Sequence, residues 1–281
     1  MPASMSNVAI QQFRDIFTNV YQGTAFLGDT TQSVFGAEGD AYKWPVQGQV
    51  LSVERGAYQS YLQIQDNDYS QVTTLFKNWT INLPVDVFQQ KELNIDMIRG
   101  LAPVHAKSMQ RREDQTVLDA LVAAPIAPAN IIVDGGTNMT VAKLRQAKTQ
   151  LDLLNVDYED RFLVMTPSQQ DSLIADPIVT SVLSNTVRSA VTGNIEYFMG
   201  FKIYVIGERE EGGLPIAANI RSCFVWQRES MGRVYQMTPE VTVDWQPATQ
   251  SWLTISKMRL GASNLLPKGI VEIQCDEAAA P

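Results

Sequence analysis

The chain contains one histidine, His105. Any Ser–His–acid hydrolytic set would have to be built on it. It sits in Pro103-Val104-His105-Ala106-Lys107, inside a stretch that reads as helix, and no Gly-x-Ser-x-Gly elbow occurs to supply a nucleophile. His105 therefore reads as a structural or exposed helix residue. Metal chemistry is equally short of ligands. One histidine and two distant cysteines, Cys223 and Cys275, do not make a zinc set. Asp66-Asn67-Asp68 opens like a calcium loop, but the sixth position is Gln71 in place of Gly and the twelfth is Lys77 in place of Glu. There is no Walker phosphate loop and no Rossmann glycine fingerprint; Gly200, Gly207, Gly212 and Gly213 flank a strand near 201–206 as turn formers. The carboxylates are scattered, with no spacing that marks an acid pair. The sequence assigns no catalytic, cofactor-binding or metal residue and predicts a non-enzyme without a cofactor.

Bulk properties narrow the class further. The chain has 281 residues, 45% of them apolar and 19% charged, enough for one large core or two smaller ones. Its net charge of −8 argues against a dedicated nucleic-acid binder, which needs clustered Lys and Arg to neutralise phosphates. It does not argue against a container whose wall must not hold DNA tightly. The cysteines read as two buried thiols of a reducing compartment in preference to a structural disulfide. Met1-Pro2-Ala3-Ser4 shows no secretory n-region, and no apolar run is long enough to span a membrane.

The elements follow from patterning. Residues 1–35 read as an arm with one short amphipathic helix (Val8, Phe13, Ile16, Phe17, Val20) and too little apolar surface for a core of its own. Residues 36–83 read as a long two-stranded excursion. It starts at Tyr42-Lys43-Trp44-Pro45-Val46, turns at the polar Gln65-Asp66-Asn67-Asp68 and returns through Val72, Leu75 and Trp79. An isolated two-stranded ribbon is marginal in water. Its aromatics Trp44, Tyr58, Tyr61 and Tyr69 suit a partner's surface and the chain's own body equally well. Pro84 is expected to open a helical stretch over 84–123 that breaks at Gly100 and Pro103. Arg111, Arg112, Glu113 and Asp114 are expected on a solvated face of it. After a Pro/Gly joint, a helix capped by Thr137 or Thr140 carries Val141, Leu144, Ala147, Leu151 and Leu154 on one face. A buried strand at 161–165, a helix through Leu173 and a strand at 201–206 complete an α/β module over 137–215. The remainder is strand-rich, through Cys223–Trp226, Val241–Val243, Trp252–Ile255 and Ile270–Ile273. The tail from Asp276 is expected to fray.

Four stretches carry a family likeness. They are Leu144-Arg145-Gln146-Ala147-Lys148 running to Asn155-Val156; Glu159-Asp160-Arg161-Phe162-Leu163-Val164-Met165-Thr166-Pro167; Gly193-Asn194-Ile195 with Gly200-Phe201-Lys202-Ile203-Tyr204-Val205; and Leu260-Gly261-Ala262 with Leu265-Leu266-Pro267-Lys268-Gly269-Ile270-Val271. In these, and in its order of segments, the chain resembles the major capsid proteins of tailed bacteriophages with the Hong Kong 97-type fold.

The resemblance implies an α+β fold with an N-terminal arm (1–35), an extended loop with flanking strands (36–83), a peripheral domain with a long spine helix (84–136 and 216–260) and an axial domain (137–215 and 261–281). It implies a homo-oligomer of hexamers and pentamers closing an icosahedral shell in the virion, assembled in the host cytoplasm. A separate scaffolding protein, a portal and a decoration protein are implied partners, with packaged double-stranded DNA touched only non-specifically and no membrane. The expected inter-subunit contacts are Phe13, Phe17, Trp44, Tyr58, Tyr61 and Tyr69. The alternatives are an encapsulin-type nanocompartment shell of the same fold, another virion component that forms rings or tubes, and a hydrolase or ligand-binding domain with an unrecognised site.

Overall fold

The computed structural model describes residues 25–54, 56, 64–88, 97–176, 179 and 195–279. The helix expected around Val8–Val20 lies outside them. The first third gives β1 (Gln32–Phe35), β2 (Ala41–Gln47), β3 (Tyr69–Leu75), β4 (Lys77–Asp86) and a 26-residue helix α1 (Met97–Val122). Next come β5 (Ile131–Ile132), α2 (Val141–Leu153), β6 (Arg161–Met165), α3 (Pro167–Ala175), β7 (Tyr197–Phe198) and β8 (Phe201–Val205). The last third is β9 (Ile216–Ala217), β10 (Ile220–Gln227), β11 (Met231–Gln246), β12 (Ser251–Asn264) and β13 (Ile270–Asp276).

These strands form three sheets. One has the order β1-β11-β12-β4, with β1 parallel to β11 and the other pairs antiparallel. A seven-stranded sheet runs β5-β13-β10-β6-β8-β7, with β9 on β10. The β2–β3 pair is a separate two-stranded ribbon. The large core lies on both faces of the seven-stranded sheet. The apolar stripe of α2 (Val141, Leu144, Ala147, Leu151) packs there, as do Val117, Leu118 and Leu121 from the end of α1. Every residue of β6 is buried, because strands flank it on both sides and helices cover it. The other half of α1 crosses the four-stranded sheet, where Met109 meets Tyr235, Met258 and Leu260. One helix thus ties both sheets together.

Sheet pairing divides the chain differently from the expected peripheral and axial segments. β10, expected in the peripheral part, is the centre of the seven-stranded sheet between β13 and β6, while residues 261–264 end β12 in the four-stranded sheet. Long-range pairing decides both. Pro84 does not open a helix but lies in β4; a residue without an N–H is tolerated there because β4 is the sheet's edge. Gly100 and Pro103 do not break α1. Pro103 is exposed, so the carbonyl that loses its helical bond can be met by water. Thr140 caps α2 by accepting from the Lys143 amide at 3.4 Å, as expected, whereas Leu154 lies past the helix end and is 38% exposed.

Candidate assembly site

The β2–β3 ribbon lies with one face on the four-stranded sheet, and two glycines make the seat. A Cβ on Gly232 would stand 2.7 Å from the Trp44 ring. One on Gly261 would overlap the Leu75 carbonyl oxygen and stand 2.8 Å from Thr74 Cγ2. Trp44 fills the slot over Gly232 against Val234 and Leu265, and its Nε1 donates to Thr74 Oγ1 at 2.9 Å. It is 8% exposed. Trp44 is therefore a seat for the ribbon within its own chain. Trp44 pairs with Val72, so Tyr69, three residues earlier, falls on the opposite face and is 71% exposed. Beyond the paired strands Leu51, Val53 and Ile64 are also exposed. Phe13, Phe17, Tyr58 and Tyr61 lie outside the described residues.

The root of the arm is held through its backbone. Asp114 Oδ1 accepts from the amides of Phe26 at 3.4 Å and Leu27 at 3.1 Å. Arg233 donates to the Gly28 carbonyl at 2.9 Å, Arg228 to that of Asp29 at 3.0 Å, and Trp226 Nε1 to that of Thr30 at 3.0 Å. Leu27 is fully buried, and Phe26 stacks on Tyr204. Asp114 also pairs with Arg209 at 3.1 Å. Burial pushes the Asp114 carboxyl above its usual range, and the Leu27 amide and Arg209 pull it partly back. The Arg111–Asp114 run is thus no solvated face: Arg111 pairs with Glu211 at 2.8 Å, Arg112 covers the Trp79 ring and Asp114 is buried.

Other buried polar groups tie elements of the fold together. His105 is buried between Thr254 Oγ1 at 3.1 Å and Ser256 Oγ at 2.7 Å, and burial lowers its pKa, favouring the neutral ring that bonds α1 to β12. The tail does not fray at once. Glu277 accepts from Arg221 Nε at 2.8 Å, Arg221 Nη2 at 3.2 Å and Gln169 Nε2 at 3.0 Å, and the Asp276 amide donates to the Thr137 carbonyl. The Arg221 hydrogen bond holds the Glu277 carboxyl below its usual value. Among the described residues no three His, Cys, Asp or Glu side chains cluster as metal ligands, and no helix is long and apolar enough to cross a membrane.

One surface escaped the sequence reading. Val241, Val243 and Trp245 of β11 alternate onto the face that carries α1, and Trp245 stacks edge-on against Trp252 at 5.1 Å. The helix covers Thr254 and Ser256 on this face through His105, while these four residues are exposed. Their period of two was the available signal.

A family model described as phage capsid protein matches residues 5–277. The chain belongs to the phage capsid protein family. It is a structural major capsid protein of a phage head, a component of the virion that works as many copies of itself. Solved capsids share its fold, the Hong Kong 97 type. The capsid of cyanophage P-SCSP1u is 14% identical with a TM-score of 0.76, over 95% of this chain and 93% of that one. A chain from Mycobacterium phage Che8 is 13% identical with a TM-score of 0.75, over 99% and 100%. The acid-stable capsid of Helicobacter pylori bacteriophage KHP30 is 11% identical with a TM-score of 0.76, over 99% of each. No curated protein matches.

Proposed function

We propose that this capsid protein closes an icosahedral head around the double-stranded DNA of a tailed phage, as hexamers and pentamers built in the host cytoplasm with a separate scaffolding protein and a portal. The observation that carries this reading is the ribbon. Its base is locked onto the subunit by Trp44 and the two glycines, while Leu51, Ile64 and Tyr69 beyond or opposite that base have little cover from the chain itself. Exposed apolar groups on a fixed projection are best covered by a neighbouring copy, and repeated symmetric contacts of this kind close a shell. The exposed Val241, Val243, Trp245 and Trp252 add a second surface for neighbours. The family's structural role supports a non-enzymatic protein. The net charge of −8 suits a wall that touches packaged DNA weakly and without sequence preference.

The test is to replace residues 49–67 by a two-residue Asn-Gly turn, which closes the hairpin just beyond the Gln47–Tyr69 pair. Electron microscopy of the wild-type chain, expressed with its scaffold, should show closed shells. The shortened chain should remain a folded soluble subunit with an unchanged melting temperature and form none. Normal shells from the shortened chain would remove the ribbon's role.

A further inference from the structure

β10 and β13 pair with Cys223 opposite Ile273 and Arg221 opposite Cys275. The two cysteines are therefore diagonal neighbours on one face of the sheet. Both are free thiols and both are fully buried. Lys143, from the first turn of α2, is their third neighbour. It is 6% exposed, and its Nζ donates to the carbonyls of Thr137 at 2.7 Å and Gln274 at 2.9 Å. Among the described residues no carboxylate stands within ion-pairing distance of it. Burial lowers the pKa of this ammonium and the nearby Cys275, Asp134, Cys223 and Asp276 offset it in part, so it favours an adjacent anion. A surface groove of about 640 Å³, lined by Ile132, Thr137, Thr140 and Gln146, reaches Lys143 but neither cysteine.

We propose that Cys223 and Cys275, with Lys143 beside them, form an oxidation-triggered staple between β10 and β13. The oxidant is hydrogen peroxide. The Cys275 sulfur attacks one peroxide oxygen and the O–O bond breaks. The departing hydroxide takes up a proton as water, and Cys275 is left as a sulfenic acid. The Cys223 sulfur then attacks the Cys275 sulfur; the S–S bond forms, the S–O bond breaks, and a second water leaves with the Cys223 proton. Two thiols lose two electrons and the peroxide gains them. The electrostatics assign the roles. The hydrogen bond from Cys223 and the Lys143 charge hold the Cys275 thiol below its usual pKa, while the same pairing and burial push Cys223 up. The bridge closes a loop containing all of β11 and β12, and so restrains the unfolded chain. A head built inside a reducing cell and released into aerobic medium would gain this restraint only after assembly. That use rests on the capsid reading; the thiol chemistry does not.

The test uses the full chain, as soluble subunit and as heads. It is treated with hydrogen peroxide, then unfolded, alkylated with iodoacetamide and read by mass spectrometry. Expected are loss of both alkylatable thiols, an intact mass lower by two hydrogens, a peptide joining Cys223 to Cys275, and reversal by dithiothreitol. Cys223→Ser should stop the reaction at a sulfenic acid on Cys275 that dimedone captures, and Lys143→Met should slow bridging about tenfold. Thiols that stay alkylatable while glutathione in the same tube is consumed would overturn the proposal, as would bridges formed only between chains. Shell formation, scored separately by microscopy, is not the readout.

Discussion

Seating the ribbon on two glycines makes a sharp prediction for Gly261→Ala. The backbone at Gly261 is ordinary extended strand, so alanine meets no conformational penalty there. Restricting the unfolded chain should even stabilise the fold by about 0.5–1 kcal/mol. Against this, the new methyl overlaps the Leu75 carbonyl oxygen and crowds Thr74 Cγ2 at 2.8 Å. The obstacle is backbone, which cannot rotate aside, so β3 must lift from the sheet and loosen the Thr74–Ser263 and Trp44–Thr74 hydrogen bonds. Overpacking of this kind costs about 3 kcal/mol. The net loss is about 2 kcal/mol, or about 4–8 °C in melting temperature. Gly207→Ala is the control, since nothing lies within 4 Å of its added Cβ; it should melt at or slightly above wild type. The assay is thermal melting of the soluble subunit, with amide hydrogen exchange across residues 69–75 to show where protection is lost. If Gly261→Ala melts at or above the wild-type temperature with ribbon protection intact, the ribbon is not seated there and the reasoning fails.

Two further outcomes follow from the buried ion pairs. Glu277→Gln should cost about 2 kcal/mol by weakening the charge-assisted bonds to buried Arg221. Because the folded pKa of Glu277 lies below its unfolded value, its contribution is full above the unfolded pKa and is lost as pH falls through the folded one; the gap between variant and wild type in urea titrations should therefore shrink on acidification. Asp114→Ala removes the acceptor of two arm-root amides and strands Arg209, whose side chain is 7% exposed, and should cost about 3 kcal/mol. Hydrogen exchange should rise first at Phe26 and Leu27, and unchanged protection there would count against the latch.

Local elements were legible in the sequence wherever one stretch carried the whole signal. The α2 stripe with its Thr140 cap, the apolar run of β6, the α3 start at Thr166-Pro167 and the strands of the last third all stand where patterning puts them. What patterning missed depends on residues far apart. Trp44 was equally suited to a partner or its own body, and the matter turns on Gly232 opening a slot in β11. Pro84 and Pro103 read as local punctuation, yet an edge strand and an exposed helix face absorb them. β10 was expected in the peripheral part, and only its pairing with β6 and β13 puts it at the centre of the seven-stranded sheet. Asp114 looked solvated because the arm root that covers it is 87 residues away.

The ribbon and the arm root share a construction that bears on assembly. Each is fixed at its base by the subunit's own side chains, the ribbon by Trp44 and Thr74 and the arm by Asp114, Arg228, Arg233 and Trp226. A projection that was loose at its base would lose conformational freedom every time a neighbour bound, at about 1–2 kcal/mol for each residue newly ordered. Anchoring during folding removes that cost from the association step. If the exposed Tyr69 contacts a neighbour as proposed, more of that contact energy is then available to hold subunits together. The same anchoring fixes how β2 and β3 lie on the body, and on the proposed role any contact made through them inherits that orientation. On this argument Gly261→Ala and Asp114→Ala should disturb shell geometry at temperatures where the subunit is still folded, with misclosed or open particles appearing before any loss of soluble protein.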